Sequence, residues 1–203
     1  MAVQSYSLLL LAGGLSRRMG GGDKNLMDLD GKPVLSHVLG RIDHAAVPTV
    51  LNANGDASRY AGFGLPVVPD VIDGFAGPLA GILTGLEWTA AHHPDCSHMI
   101  SLATDAPFIP FDLTDQLVAA ITAGVDMAQA ASQGRRHPVF AIWPVAMRTA
   151  LRAAVLEQGV RKIDDFTADY ACAIVPFEAM PDPFMNLNRP EDFVAAKARL
   201  RSA

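Results

Sequence analysis

Cysteine is scarce in this chain. Cys96 and Cys172 are the two it has, far apart and at no metal-ligand spacing. That excludes a disulfide framework and a cysteine-built zinc site, and both thiols read as free, as suits a reducing compartment. Charge is scarce as well: 18% of residues are charged, and acid outweighs base to a net charge of -5. General nucleic-acid binding, which needs a basic surface for phosphate contacts, is thereby excluded. An anion site would have to be built locally, from a few cations and backbone N–H groups. Long hydrophobic runs are missing too. No window approaches the ~18 apolar residues that span a bilayer, and Met1 to Leu11 lacks the basic start of a secretory signal. A soluble cytoplasmic protein with no membrane partner is the expectation.

What is present is apolar: half of the 203 residues, enough for a sizeable core and too many for a disordered chain. Neither a repeat nor a linker breaks the chain, so a single domain over 1–203 is expected. Apolar runs bounded by turn residues alternate with segments of helical period. The pattern predicts strands at Tyr6–Leu11, Pro48–Asn52, Leu65–Asp70 and His98–Asp105. "DMAQAAS" and "HPVFAIWP" are expected to form two more around a loop "QGRR", an antiparallel insertion, and "ACAIVPF" a last one. Helices are expected over Pro33–Arg41, Gly77–His93, Asp112–Gly124 (closed by Gly124), Val145–Gln158 and Arg189–Ser202. Strands alternating with crossover helices give an α/β fold with a mostly parallel, Rossmann-like sheet flanked by helices.

In such sheets the ligand crevice lies beyond the C-terminal strand ends. Polar residues follow four of the expected strands there: the segment to Lys24, then Asn52, Asp70 and Asp105. The first is the richest. Gly13, Gly14 and Gly20 to Gly22 free the backbone to approach phosphate oxygens, and Arg17, Arg18 and Lys24 concentrate positive charge in an acidic protein. The spacing is neither that of a P-loop nor that of a dinucleotide-binding turn. A carboxylate at a strand end beside a phosphate site, as Asp105 would be, is where Mg²⁺ binds. The six histidines form no metal set: His92 and His93 read as helix-end residues, and Trp88 and Trp143 as packing residues.

The stretch "LAGGLSRRMGGGDK" resembles the opening loop of nucleotidyltransferases, in the form found in the molybdenum cofactor guanylyltransferase family. The likeness continues through "DGKPVLSHV", "GPLAGIL", "ATDAPFIP" and "FMNLNRPEDF", hence most of the chain. It implies transfer of GMP from GTP to molybdopterin, with Mg²⁺ as the metal and pyrophosphate expelled. Lys24, Arg18 and Asp105 are then the catalytic residues, with Asp105 as metal ligand. Leu11, Ala12, Gly13, Gly14, Asn52 and Asp70 complete the GTP site, with Asp73 the rival of Asp70. Asn186 and Asn188 are implied near the pterin; an Asx turn or cap before Pro190 is the other reading. Arg17 is either a further phosphate contact or surface charge. Arg135, Arg136 and His137 are either a grip on the acceptor phosphate or an exposed hairpin tip.

Guanine preference also follows from the resemblance, which reads the base partly with backbone groups of Leu11 to Gly13. So do a monomeric state and contacts with molybdenum-insertion proteins and molybdoenzyme chaperones. The sequence departs from the family at Asn25, where a small residue is usual, and at Arg189, where threonine is common. A CTP-dependent or sugar-phosphate nucleotidyltransferase, or a nucleotide-binding adaptor without chemistry, are the alternatives.

Overall fold

The computed structural model describes residues 3, 5–12, 23–72, 74 and 77–202. β1 (Tyr6–Leu11), β4 (Thr49–Asn52), β5 (Val67–Val68), β6 (His98–Ala103), β7 (Met127–Ser132), β8 (Arg135–Pro144) and β9 (Cys172–Pro176) form a seven-stranded sheet in the order β5-β4-β1-β6-β8-β7-β9. β1 pairs in parallel with β4 on one side and β6 on the other. β8 is antiparallel to both its neighbours, and β9 is parallel to β7. Six strands therefore point one way and β8 alone runs back. The chain leaves β1 toward β4 and β5, then crosses to β6, which makes the end of β1 the switch point of the sheet.

Burial on both faces explains the uninterrupted leucines of β1. Leu8 and Leu10 pack with Leu35, Val38, Leu113 and Leu117 on one side. These come from α1 (Val34–Leu39) and α3 (Leu113–Ala119). Leu9 packs on the other side with Leu79, Ile82, Leu83 and Leu86 of α2 (Pro78–His92), and with Trp143. Trp143 is fully buried and its indole N–H donates to Ser101 Oγ at 2.8 Å. A third cluster joins Leu29, Val34, Phe108, Leu187, Phe193 and Ala196. It packs α6 (Pro190–Ser202) under the loop that follows β6.

Where the structure departs from expectation, local chemistry accounts for it. α3 ends at Ala119, because Ile121 turns into the core; Gly124, at φ +83°, belongs to the turn before β7. The Val145–Gln158 helix is split into a 3-10 turn (Val145–Met147) and α4 (Arg148–Leu156). The loop "QGRR" shrinks to Gln133 and Gly134, both at positive φ, the geometry of a two-residue hairpin turn. Arg135, Arg136 and His137 thus sit on β8. Unforeseen elements are a hairpin of β2 (Asp28–Leu29) and β3 (Lys32–Pro33), a 3-10 segment Ala57–Phe63, and α5 (Ile163–Thr167). Among the described residues no helix is long and apolar enough to cross a membrane.

Candidate active site

The strand ends at the switch point are laced together by main-chain bonds. Ala12 N–H donates to the Asn52 carbonyl at 2.9 Å, and Ala53 N–H to the Val68 carbonyl at 3.0 Å. The Leu11 carbonyl accepts from both Thr104 N–H (3.3 Å) and Thr104 Oγ1 (2.9 Å). In the segment whose backbone is expected to read the base, the Leu11 carbonyl and the Ala12 N–H are therefore bonded within the fold. Gly13, Gly14, Arg17, Arg18 and Asp73 lie outside the described residues.

Lys24 opens a short 3-10 turn (Lys24–Leu26). Its Nζ lies 3.5 Å from Asp105 Oδ2 and donates to Asn188 Oδ1 at 2.5 Å. Three of the expected residues, 164 positions apart at the extremes, thus meet at one ammonium group. Asp105 sits two residues beyond β6, and its carbonyl accepts from Leu187 N–H at 2.9 Å. Burial pushes the Asp105 carboxyl above its usual range, and the nearby Lys24 pulls it back only in part. The anion is short of compensating charge.

The odd residue Asn25 is what fixes this turn. It is buried, and its amide meets the hydroxyl of the fully buried Tyr60 at 3.3 Å. A small residue there would leave the phenol without that partner. Arg189, the other departure, cannot cap α6 as a threonine would. Asp192 supplies the reciprocal half of a capping box, accepting from Asn188 N–H (2.8 Å) and Arg189 N–H (2.7 Å) ahead of the helix. The Asn188 side-chain oxygen is engaged by Lys24. Asn186 and Asn188 are exposed on either side of the buried Leu187, as alternation along an extended segment requires.

A second cluster surrounds Asp70. One carboxylate oxygen accepts from Asn52 Nδ2 at 3.0 Å, the other from Asn54 Nδ2 at 2.8 Å. Asp70 N–H donates back to Asn54 Oδ1 at 2.9 Å. Asn52 is 2% exposed, and its amide also donates to the Val68 carbonyl at 3.3 Å. Its observed work is to orient Asp70 rather than to reach outward. Gly55 takes φ +85° in the turn after β4, and the Asn54 side chain beside it serves Asp70. The "GPLAG" motif has a packing reason here. A Cβ on Gly81 would come closer than 3.0 Å to both Asn52 Oδ1 and Leu11 Cδ2, so glycine lets α2 seat against the strand ends.

On the far side, the hairpin of β7 and β8 anchors the Asn186–Asn188 segment. His137 stacks on Phe184 at 4.6 Å between ring centroids, and its Nε2 meets Ser132 Oγ at 2.7 Å. Ser132 donates to Asp182 Oδ1 at 2.8 Å, which also accepts from Phe184 N–H at 3.0 Å. His137 therefore lies on β8 behind the hairpin tip; Arg135 and Arg136 are exposed. The whole assembly is distinct from a cavity of about 490 Å³ at the other end of the sheet, lined by Tyr6, Pro48, His93 and Cys96.

A conserved-domain description fits this arrangement: residues 8–170 match the model of a MobA-like NTP transferase domain. The chain belongs to that family. This MobA-like NTP transferase is 52% identical over 191 residues to a molybdenum cofactor guanylyltransferase of Bradyrhizobium sp., covering 93% of this chain and 90% of the relative. It is 50% identical to one of Rhodopseudomonas palustris, over 93% and 91% of the two chains. Among solved structures, molybdopterin-guanine dinucleotide biosynthesis protein A of Archaeoglobus fulgidus superposes with a TM-score of 0.76 at 22% identity, covering 97% and 100%. A 4-diphosphocytidyl-2C-methyl-D-erythritol synthase of Anaerococcus prevotii superposes at 0.72 and 14% identity, covering 97% and 96%. The fold is thus shared by proteins of different names, and the α/β architecture alone is what these two structures establish.

Proposed function

We propose that the chain is a cytoplasmic molybdenum cofactor guanylyltransferase, which joins GMP from GTP to molybdopterin and releases pyrophosphate. The observation that carries this is the 52% identity to a protein of that name along 93% of the chain. The convergence of Lys24, Asp105 and Asn188 at the switch point supports it.

In the reaction a phosphate oxygen of molybdopterin forms a bond to the α-phosphorus of GTP as the bond to the β-phosphate bridging oxygen breaks. Both reactants are anions, so the main barrier is charge. Lys24 supplies a positive group whose position is set by a packed turn and two partners. On GTP binding the Lys24 ammonium exchanges its contact with Asp105 for phosphate oxygens, and Asp105 would then be the residue to hold a metal. Asp70, held at both oxygens, faces the nucleoside, and Asn186 and Asn188 face the acceptor. Arg18 adds phosphate contacts alongside Gly13 and Gly14.

Asp105 suits Mg²⁺. Among the described residues no group of three or more histidines, cysteines and carboxylates could cage a metal. Mg²⁺ needs none, since it takes one or two carboxylates, substrate phosphate oxygens and water. A carboxylate that burial leaves short of positive charge fits that demand. When bound, Mg²⁺ withdraws charge from the phosphates.

The test is incubation of the purified chain with molybdopterin, Mg²⁺ and each NTP in turn, scoring pyrophosphate and the dinucleotide. Turnover with GTP above all others is expected. Turnover with CTP but not GTP overturns the base assignment, and GTP binding without pyrophosphate makes the protein an adaptor.

A further inference from the structure

One side chain ties the two halves of the site together. Arg59, in the 3-10 segment Ala57–Phe63, places three guanidinium nitrogens on three separate acceptors. Nη1 pairs with the Asp23 carboxylate. Nη2 donates to the Asn54 carbonyl at 2.7 Å, and Nε to the Asp56 carbonyl at 2.8 Å. Asp23 immediately precedes Lys24, and Asn54 is the residue that grips Asp70. The next residue, Tyr60, holds Asn25 on the other side of Lys24. The segment itself is pinned by Asp56, whose carboxylate accepts from Ser58 N–H at 2.9 Å and Ser58 Oγ at 2.7 Å. Only a rigid planar fork reaches three such acceptors at once; a lysine ammonium on a flexible stem does not.

The charge arrangement adds to the geometry. Asp23 and Asp105 are both carboxylates near Lys24 in chain or space. Arg59 neutralises Asp23 and so leaves the ammonium to Asp105 and Asn188. Without Arg59, Asp23 becomes a second partner for Lys24 and draws it from the phosphate position. At the same time Asn54 loses the bond that fixes its backbone, and Asp70 loosens.

We propose that Arg59 is a positioning residue for nucleotidyl transfer, which holds Lys24 on the phosphate side through Asp23 and Asp70 on the nucleoside side through Asn54. The inference rests on the nucleotidyl-transfer reading above.

Steady-state kinetics of five proteins test it: the native chain, R59K, R59A, D23N and R59A/D23N, each checked by thermal melting. R59A is expected to lose on the order of 10²-fold in kcat/KM, the scale of a misplaced reacting group, through both a lower kcat and a higher KM for GTP. R59K is expected to fall between R59A and the native chain. The decisive readout is the double variant. Removing the competing carboxylate should restore kcat several-fold over R59A while KM stays high, a split that a purely structural role does not produce. Should R59A fail to fold, R59K and D23N carry the test. The inference is overturned by R59K within about twofold of the native chain in both constants, or by R59A/D23N no faster than R59A. The native chain and a K24A variant run beside them keep the readings apart: no GTP-dependent pyrophosphate release by the native chain defeats the functional reading, whereas native turnover that K24A abolishes, alongside a native-like R59K, defeats only the role of Arg59.

Discussion

Gly81 of α2 lies so close to Asn52 of β4 that any side chain at position 81 must displace its neighbours. A Cβ at position 81 would lie closer than 3.0 Å to Asn52 Oδ1, and Asn52 is one of the two amides that orient Asp70. Gly81→Ala would ordinarily stabilise a helix by about 1 kcal/mol. Overpacking costs about 1–3 kcal/mol, so a net loss of thermal stability is expected. Asn52 must also yield, and the KM for GTP should rise. Gly85→Ala is the control: its Cβ meets Leu9 and Met99 side-chain ends and no site residue. It should lower the melting temperature without moving KM.

Among the described residues Lys24 is the cation paired with Asp105, and its removal tests the charge argument. Lys24→Ala should cut kcat by on the order of 10²-fold or more, as loss of one positioned transition-state charge does. Asn188→Ala, which removes only its 2.5 Å hydrogen-bond partner, should cost less. Equal losses would mean that orientation rather than charge dominates. A near-native K24A would remove Lys24 from the mechanism.

Much of this site was legible from the strand periodicity, because the residues that matter follow strands that are apolar along their whole length. β1 is found at its expected bounds, and Lys24, Asp70 and Asp105 sit where the C-terminal sheet edge puts them. What was not legible are the supports. Asn54, Arg59, Tyr60, Thr104 and Asp182 act through contacts between segments distant in sequence, and no local pattern marks them. The β2–β3 hairpin did carry a signal: Asp30 (φ +54°) and Gly31 (φ +86°) form the Asp-Gly turn that favours a two-residue hairpin. The strands are so short that no alternation accompanied it. Asn52 is expected in the GTP site from the resemblance; its side chain lies beside Gly81 and donates to the Val68 carbonyl and to Asp70, contacts that no local pattern marks.

Asp105 should show a trade between function and stability. Its carboxyl titrates above the usual range because burial disfavours the charged form more than Lys24 favours it. The folded state therefore binds a proton more readily than the unfolded chain, and stability falls as pH rises from the unfolded value, about 3.9, through the raised folded one. Asp105→Asn, which mimics the neutral acid, should melt higher than the native protein at neutral pH, with the gain shrinking as pH falls toward about 4 and absent below it. It should also need far more Mg²⁺ for turnover. An unchanged metal dependence would place the metal elsewhere.

His137 predicts the opposite pH response. Burial holds its imidazole below the ordinary histidine range, more strongly than Asp182 raises it, and burial does the same to His98. A group with a depressed folded pKa of this kind is neutral in the fold, and the unfolded chain binds the extra proton. Its stabilising contribution is present above the unfolded value, about 6.5, and is lost as pH falls toward the folded one. The melting temperature should therefore decline between about pH 7 and pH 5. His137→Gln keeps a side-chain donor for Ser132 but does not titrate, so its decline should be shallower, with the remainder due to His98. Because His137 stacks on Phe184, at the head of the segment that carries Asn186 and Asn188, the KM for molybdopterin should rise over the same pH range in the native protein and stay flatter in the variant. Parallel melting curves for the two proteins from pH 8 to pH 5 would show that His137 does not carry this dependence.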